Sequence, residues 1–161
     1  MRKILFTVLI PVGLVAGIVT SFALATSSLG VTSTPLAAGT LDPVNVKVKT
    51  GAWKGRISSK GTSQLSVTEN RVLPGGSFGW HSHPGPSLVI VKSGTSTFYR
   101  GDDPDCTPEV HPAGTSYVDP GGVVHIARNE GKDELVLLVT RLIPNGAPAR
   151  IDEPDPGNCN F

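Results

Sequence analysis

Three observations predict an all-β fold, built as a single barrel or sandwich. From residue 44 onward, short segments alternate apolar and polar side chains, as half-buried strands do. Nineteen glycines and fourteen prolines fall between these segments, where they favour turns. No segment keeps a 3.6-residue apolar period over three turns, so no long helix is expected. Many short strands at regular spacing are typical of sandwiches and barrels.

The predicted strands follow one another along the chain, and each is bounded by Gly, Pro, Asn or Asp. In order they are VNVKVKT, QLSVTENRVLP, SLVIVKSG, TSTFYR, TSYVDPGG, VVHIARNEG and ELVLLVTRLIP. VNVKVKT, which comes first, is a candidate sheet edge through which a homodimer would form.

The first 25 residues have the layout of a secretory signal peptide. Arg2 and Lys3 precede an apolar run that ends near Val19, and a small-x-small cleavage site ends at Ala25. We therefore expect export, cleavage after Ala25, and a secreted or extracytoplasmic protein. An uncleaved anchor is the alternative, although the apolar run is shorter than the roughly 20 residues that span a bilayer.

The charge balance argues against highly charged partners. Fourteen Lys and Arg residues lose two on removal of residues 1–25, which leaves twelve against thirteen Asp and Glu, a net charge of −1. No run of one sign stands out. We expect no nucleic-acid partner and no membrane contact beyond the signal segment.

Composition divides the exported part into three segments. Residues 26–43 are small and almost uncharged, which predicts a flexible linker. Residues 44–146 carry the strand pattern and predict one barrel. Residues 147–161 are polar and rich in proline, which predicts a C-terminal tail outside the barrel strands.

Two cysteines, Cys106 and Cys159, fall in the exported part. Outside the cytoplasm an even number of thiols favours a disulfide, which here would tie the tail to the middle of the domain. Such a bridge closes a loop of about fifty residues and stabilises by roughly 4 kcal/mol in the chain-entropy model. Two reduced thiols, one of them catalytic, are the alternative.

Three histidines indicate a metal site. His81 and His83 stand one residue apart in GWHSHPGPSLVIVKSG, and on a strand their side chains would point the same way. His125 follows a Pro-Gly-Gly turn on another predicted strand. Three imidazoles that converge on one ion would leave coordination positions open for water or substrate.

The same stretches resemble the two motifs of the cupin superfamily. The first motif is matched by Gly75, His81, His83 and Gly94, and the second by Gly114, Pro120, Gly122, His125 and Asn129. The motif match spans about a third of the chain. The resemblance implies a cupin-type jelly-roll barrel, also called a double-stranded β-helix, with a metal in the barrel.

One position departs from the cupin pattern. Ser87 stands where the first motif usually has a glutamate ligand, and no carboxylate lies between His83 and Gly94. The expected ligands are therefore His81, His83 and His125, three neutral groups that leave a +2 charge uncompensated and favour an anionic or chelating ligand. Ser87 is expected to contact a metal-held water or a substrate oxygen.

The resemblance implies a metal-dependent dioxygenase or another small-molecule oxidoreductase, with Fe(II) as the first choice and Zn, Mn, Ni or Cu as alternatives. The expected partner is a small-molecule ligand, and no catalytic residue is predicted. Two other readings remain open. One is a secreted module that binds a metabolite or metal without turnover, and the other is a structural barrel with an empty site.

Neighbouring residues receive simpler interpretations. Trp80 alternates with His81 and should face away from the ligands. His111 is expected at the surface. Tyr99 and Tyr117 are possible hydrogen-bond donors to substrate, but the sequence does not fix their direction.

Overall fold

The structure, a computed structural model, describes residues 25–161. The predicted signal peptide therefore lies outside the described residues, except for its last position. The described part contains twelve strands and no helix. In chain order they are β1 Leu29–Leu41, β2 Asn45–Thr50, β3 Trp53–Ser58, β4 Ser63–Ser77, β5 His81–Ser82, β6 Ser87–Ser93, β7 Thr95–Arg100, β8 Glu109–Pro112, β9 Ser116–Asp119, β10 His125–Arg128, β11 Leu135–Pro144 and β12 Ile151–Asp152.

Ten of these strands form one antiparallel sheet that rolls into a nearly closed barrel. The main path runs β12-β5-β10-β4-β11-β6-β9, while β1 pairs with β4, and β7 joins β10 to β8. This arrangement confirms the predicted all-β jelly-roll fold. Within residues 25–161, no helix offers an apolar stretch long enough to cross a bilayer.

The barrel core follows from alternation along its central strands. In β6 and β11 the apolar residues at alternate positions turn inward, because successive side chains on a strand point to opposite faces. The innermost cluster consists of Val72, Val89, Val91, Leu135, Leu137 and Val139. This cluster fills one part of the barrel and leaves another part for polar groups.

A second apolar cluster lies on the opposite face of β10. Ile126 alternates with His125, so it points away from the histidines and packs with Trp80, Tyr99 and Cys159. Trp80 therefore faces away from the histidines, as the sequence predicts. Phe161 stacks on Trp80 with ring centroids 6.2 Å apart.

The motif residues other than histidine hold the two motifs together. The Asn129 side chain donates to the carbonyls of Val72 and Asp133, and the backbone N–H of Gly75 donates to the Asn129 carbonyl. Gly122 has a φ of +73°, a conformation that favours glycine, and its N–H donates to the His83 carbonyl at 2.8 Å.

The predicted flexible linker is wrong for most of its length. Residues 29–41 form β1, which pairs antiparallel with β4 from Leu29↔Ser77 to Leu41↔Ser63. Almost all of its side chains are exposed, so the strand shows no apolar alternation that the sequence could reveal. Backbone hydrogen bonds to β4, rather than side-chain burial, hold it in place.

The predicted barrel start at residue 44 is also wrong. β2 and β3 form a separate two-stranded hairpin outside the barrel sheet. All six residues of β2 are exposed, although its alternation predicted a half-buried strand. The strand therefore is not an edge of the barrel sheet, which was the reason for naming it as a dimer contact.

The C-terminal tail is fastened to the barrel. Cys106 and Cys159 form the predicted disulfide, with Cα atoms 5.3 Å apart. β12, in the same tail, pairs with β5 and so lies beside the first histidine motif. At the other end of the described chain, Ala25 forms a bridge with Pro154 of the tail.

Candidate metal centre

The structure brings the three predicted histidines together inside the barrel. His81 on β5 pairs directly with His125 on β10, which places both side chains on one face. His83 follows β5, and the three ring centroids lie 4.3 to 5.2 Å apart. One ligand nitrogen from each ring lies within 4.8 Å of the other two, and all three residues are buried.

Hydrogen bonds fix the same tautomer in all three rings. Nδ1 of His81 lies 2.8 Å from the Gly79 carbonyl, Nδ1 of His83 lies 2.7 Å from the Ala149 carbonyl, and Nδ1 of His125 lies 2.9 Å from the Val123 carbonyl. A carbonyl can only accept, so each Nδ1 carries the proton and each Nε2 presents a lone pair. This is the arrangement that orients histidine as a metal ligand.

Burial also keeps these rings neutral. Loss of solvation lowers the pKa of His81 to about 2 and that of His83 to about 4. The pKa of His125 is lowered as well, again chiefly by burial. Because all three lie below the ordinary value, the metal-free site holds three uncharged bases at neutral pH.

Ser87 lies at the rim of the same site. It is almost completely buried at the start of β6, and its hydroxyl has no hydrogen-bond partner among the described residues. The side chain lines the cavity next to His81 and His125. That Ser87 contacts a metal-held water or a substrate oxygen stays a prediction.

Asp119 lies beside the histidines, and the sequence reasoning did not name it. Its Oδ2 lies 3.6 Å from Nε2 of His83 and 3.5 Å from Nε2 of His125. Its Oδ1 accepts a hydrogen bond from the Gly121 N–H at 3.0 Å, whereas Oδ2 has no hydrogen-bond partner. A carboxylate from outside the first motif therefore lies next to His83 and His125, while the segment from His83 to Gly94 holds none, as expected.

Motif spacing pointed only to the segment between His83 and Gly94. The register of β6 and β9 sets Asp119 directly opposite Ser87. The acid therefore comes from the neighbouring strand, and no spacing rule within one motif reveals it. Its position immediately before the Pro-Gly-Gly turn of the second motif was the one available signal.

The sequence reasoning also did not name Arg141 and Arg150 as residues near the site. Arg141 pairs with Ser87 on the other side of β6, and its Nε is buried without an acceptor among the described residues. Burial lowers the pKa of its guanidinium. Arg141 is in phase with the buried Leu137 and Val139 of β11, so a charge among inward-facing positions was a readable signal.

The polar groups surround two adjoining cavities. The inner cavity, of about 40 Å³, is bounded by His81, His125 and Asp119, and the outer cavity, of about 270 Å³, reaches Arg150 and β1. His81 and Arg141 line both. Five buried polar atoms that lack a partner among the described residues line these cavities: Asn70 Nδ2, Ser87 Oγ, Asp119 Oδ2, Arg141 Nε and Arg150 Nη2.

The aromatic residues near the site have different roles. Tyr117 lines the inner cavity, shares a hydrogen bond with Ser96, and burial raises its pKa to about 12. Tyr99 instead donates to the Glu130 carboxylate on the far side of β10. His111 is only partly buried and stacks on Tyr117, so it does not join the three histidines.

The residues present fit a divalent metal ion. Three converging Nε2 lone pairs form the open donor set of catalytic metal sites. Nδ1 of every ring is already occupied, and the nearby Asp119 oxygen has no proton donor. Without a cation these groups would face one another as unsatisfied acceptors, which is costly for buried polar atoms.

Comparison with known proteins gives a family match for part of the chain. Residues 69–141 match the family model described as Cupin domain. No curated protein sequence matches the chain.

Similar solved structures have TM-scores below 0.5. One is a cupin superfamily protein from Desulfitobacterium hafniense, 14% identical, with a TM-score of 0.47 over 70% of this chain and 77% of that one. Another, from Klebsiella pneumoniae, is an uncharacterised conserved protein with a double-stranded β-helix domain, 20% identical, with a TM-score of 0.47 over 70% and 80%. An oxalate oxidase in complex with the substrate analogue glycolate is 25% identical, with a TM-score of 0.47 over 55% of this chain and 45% of that one.

The matched segment contains all three histidines, Ser87, Asp119 and Arg141. It also contains the strands from β5 to β10, residues 69–77 of β4 and residues 135–141 of β11. The segment that holds the histidine site, residues 69–141, is a cupin domain.

Proposed function

We propose that the protein binds a divalent metal ion on His81, His83 and His125 and uses it to oxidise a small anionic molecule with molecular oxygen. The observation that carries this proposal is the set of unpartnered buried polar atoms around the histidines. Native proteins rarely leave such atoms unsatisfied, and five of the seven found among the described residues belong to side chains that line the two adjoining cavities.

The donors around the cavities favour an anion. Arg141 and Arg150 each present a buried guanidinium N–H without an acceptor among the described residues, and the Ser87 hydroxyl adds another donor. Guanidinium groups bind carboxylates through charge-assisted hydrogen bonds, which are the strong ones. We therefore propose a small carboxylate, or a compound with similarly arranged anionic oxygens, as the substrate class.

Cavity size limits the ligand. The inner cavity of about 40 Å³ has room for little more than an ion and one or two small groups, while the outer cavity of about 270 Å³ admits a compact molecule. Phe78 and Phe98 line the inner cavity and shield it from water. A polymer would not fit.

Different residues of the site would have different roles in such a reaction. A divalent ion held at this site would supply Lewis-acid or redox chemistry. The imidazoles present their Nε2 lone pairs, Arg141 orients an anionic oxygen, and the apolar lining strengthens these electrostatic contacts by excluding water.

Oxygen consumption tests the proposal. Protein loaded anaerobically with Fe(II) should consume oxygen with at least one member of a panel of small carboxylates, thiols and diketones. Arg141→Gln should raise KM at least about 10-fold for the anionic substrate, because one charge-assisted contact contributes roughly 1.5 to 3 kcal/mol. Arg71→Gln is the matched control, since Arg71 pairs with Glu69 and Glu134 on the exposed surface.

Two results would count against oxidation. Tight zinc or copper binding together with ligand binding but no oxygen uptake would favour a binding module without turnover. No metal uptake at all would leave a barrel without metal function and would overturn the proposal.

The proposal includes an extracytoplasmic location. The Cys106–Cys159 disulfide supports it, because disulfides persist in oxidising compartments and are rare in the cytosol. Fractionation of expressing cells, with N-terminal sequencing of the product, tests both export and cleavage after Ala25.

A further inference from the structure

We infer that Asp119 is a fourth protein ligand of the metal centre, a carboxylate supplied from β9 in place of the glutamate that β6 lacks. This inference rests on the proposed function, since it requires a divalent ion at the three histidines. It turns a neutral ligand set into one that carries a single negative charge.

The distances suit shared coordination. Metal bonds to histidine nitrogen and carboxylate oxygen are about 2.0 to 2.2 Å long, so two ligands of one ion lie roughly 3.0 to 3.4 Å apart. Oδ2 of Asp119 lies 3.5 and 3.6 Å from Nε2 of His125 and His83. Small side-chain adjustments would bring all three atoms within bonding reach of one ion.

A hydrogen bond does not explain the position of this oxygen. N–H···O hydrogen bonds have donor–acceptor distances of about 2.7 to 3.2 Å, shorter than either contact. The Nε2 atoms in any case carry lone pairs, because each Nδ1 donates to a carbonyl. Oδ2 therefore faces two acceptors, and a cation between them is what makes the arrangement favourable.

No arginine accounts for the carboxylate either. Among the described residues, the ion-pair contacts of Asp119 within 4.0 Å are with His83 and His125. Arg141 lines the same cavity, yet its Nε has no acceptor and Oδ2 has no donor. Arg141 can therefore bind an anion, and the Asp119 carboxylate can bind a cation.

The strand register explains how one strand can substitute for another. Ser87 and Asp119 are directly paired, and paired residues have Cβ atoms about 4.5 to 5.5 Å apart on the same face. Because the Ser87 side chain is short, it leaves room for the Asp119 carboxylate to approach the histidines. The family position and the replacement thus lie side by side in space, though 32 residues apart in the chain.

Metal affinity and metal-free stability together test this assignment. Asp119→Asn keeps an oxygen that can accept from the Gly121 N–H but removes the charge. With Co²⁺ and Mn²⁺ as probes in competition with a chromophoric chelator, its affinity should fall at least about 10- to 100-fold, since even outer-shell partners of metal ligands have effects of that size. The Co²⁺ visible spectrum should change at the same time.

Metal-free Asp119→Asn should instead melt at a higher temperature, by roughly 2 to 4 °C, because an amide N–H can donate to a histidine Nε2 where a carboxylate cannot. A purely structural role would give the opposite sign. Ser87→Glu added to Asp119→Asn should restore part of the lost affinity. Asp155→Asn is the matched control, because exposed Asp155 accepts the Gly157 N–H in the same two-residue turn and lines neither cavity of the histidine site.

The outcomes separate the two proposals. If the natural sequence binds neither metal, the proposed function fails and this inference fails with it. If it binds metal but Asp119→Asn binds with equal affinity, only this inference is overturned. Weakened binding in Asp119→Asn alone, with no oxygen uptake by the natural sequence, supports the ligand and contradicts the oxidation.

Discussion

Each clustered histidine is held as a neutral base by its own surroundings. A backbone carbonyl accepts a hydrogen bond from the Nδ1–H of each ring, and burial opposes protonation of the other ring nitrogen. The metal-free protein therefore contains three groups that cannot take up protons readily while it stays folded. The unfolded chain can protonate all three near pH 6.5.

Stability of the metal-free protein should therefore fall as the pH is lowered. The folded pKa of each histidine lies below its unfolded value, so above pH 6.5 neither state gains protons and stability is at its highest. Between pH 6.5 and about 4, where His83 begins to titrate in the folded state, the unfolded state alone is protonated. At pH 5 His81 and His83 should each reduce the free energy of unfolding by about 2 kcal/mol, and His125 should act in the same direction.

Urea unfolding at pH 7.5, 6 and 5 measures this effect. His83→Gln should remove one histidine's share of the pH dependence. A free energy of unfolding that stays constant from pH 7.5 to 5 would contradict the buried, neutral state of the three rings.

Local spacing predicted the histidines but not their charged neighbours. His81, His83 and His125 stand at fixed distances from turn glycines within their motifs, and short-range patterns capture such distances. Asp119 reaches the site through the register between two strands far apart in sequence. Single-sequence reasoning has no access to that register, so the proposed set of four ligands could be predicted only in part.

Strands were predictable where one face is buried and the other is exposed. β6 alternates buried and exposed residues, and its sequence SLVIVKS carries that pattern. β1 buries almost nothing and so leaves no apolar period to detect. For β2 the error was the opposite one, because its alternating pattern predicted a half-buried strand of the barrel. Val46 and Val48 are instead about half exposed, in a hairpin outside the barrel sheet.

Removing β1 should destabilise the barrel. A chain that starts at residue 44, the predicted barrel boundary, would lose the backbone pairing along β4 and the Ser33 hydrogen bond to Asn70. We expect a loss of several kcal/mol, because each backbone hydrogen bond contributes about 1 kcal/mol net. The measurement is the urea midpoint of the purified protein.

The exposed hairpin provides a matched control for that deletion. Leu41 and Ser63 are paired at the ends of β1 and β4, so an Asn-Gly turn in place of residues 42–62 would join them directly. This variant loses a similar length of chain but keeps β1, and its midpoint should stay close to that of the natural sequence. Equal losses in both variants would contradict the importance of β1.

The whole molecule depends on its C-terminal tail more than its polar composition suggested. The tail provides the Ala149 carbonyl that orients His83, the Arg150 guanidinium beside the outer cavity, and a strand that pairs with β5. Cys159 anchors it to Cys106. One covalent bond therefore supports part of the metal site from outside the matched family segment.

Breaking the disulfide should weaken both folding and metal binding. The double variant Cys106→Ser, Cys159→Ser should lose up to about 4 kcal/mol of stability in the chain-entropy model. Its metal affinity should fall as well, because His83 loses a fixed hydrogen-bond acceptor when the tail loosens. Thermal melts and chelator competition, each with and without a reductant, measure the two effects.

A reductant should change the natural sequence in the same direction and leave the double variant unaffected. Identical melting temperatures for the natural sequence in oxidising and reducing buffer would contradict this role of the tail.

The bridge between Ala25 and Pro154 has a consequence for maturation. Thr26, the next residue, donates its backbone N–H to the Glu153 carbonyl, so the bond proposed for cleavage joins two residues that both pair with the tail. The peptidase would have to act while the two ends of the chain are still apart, which sets an order of events: release first, closure afterwards.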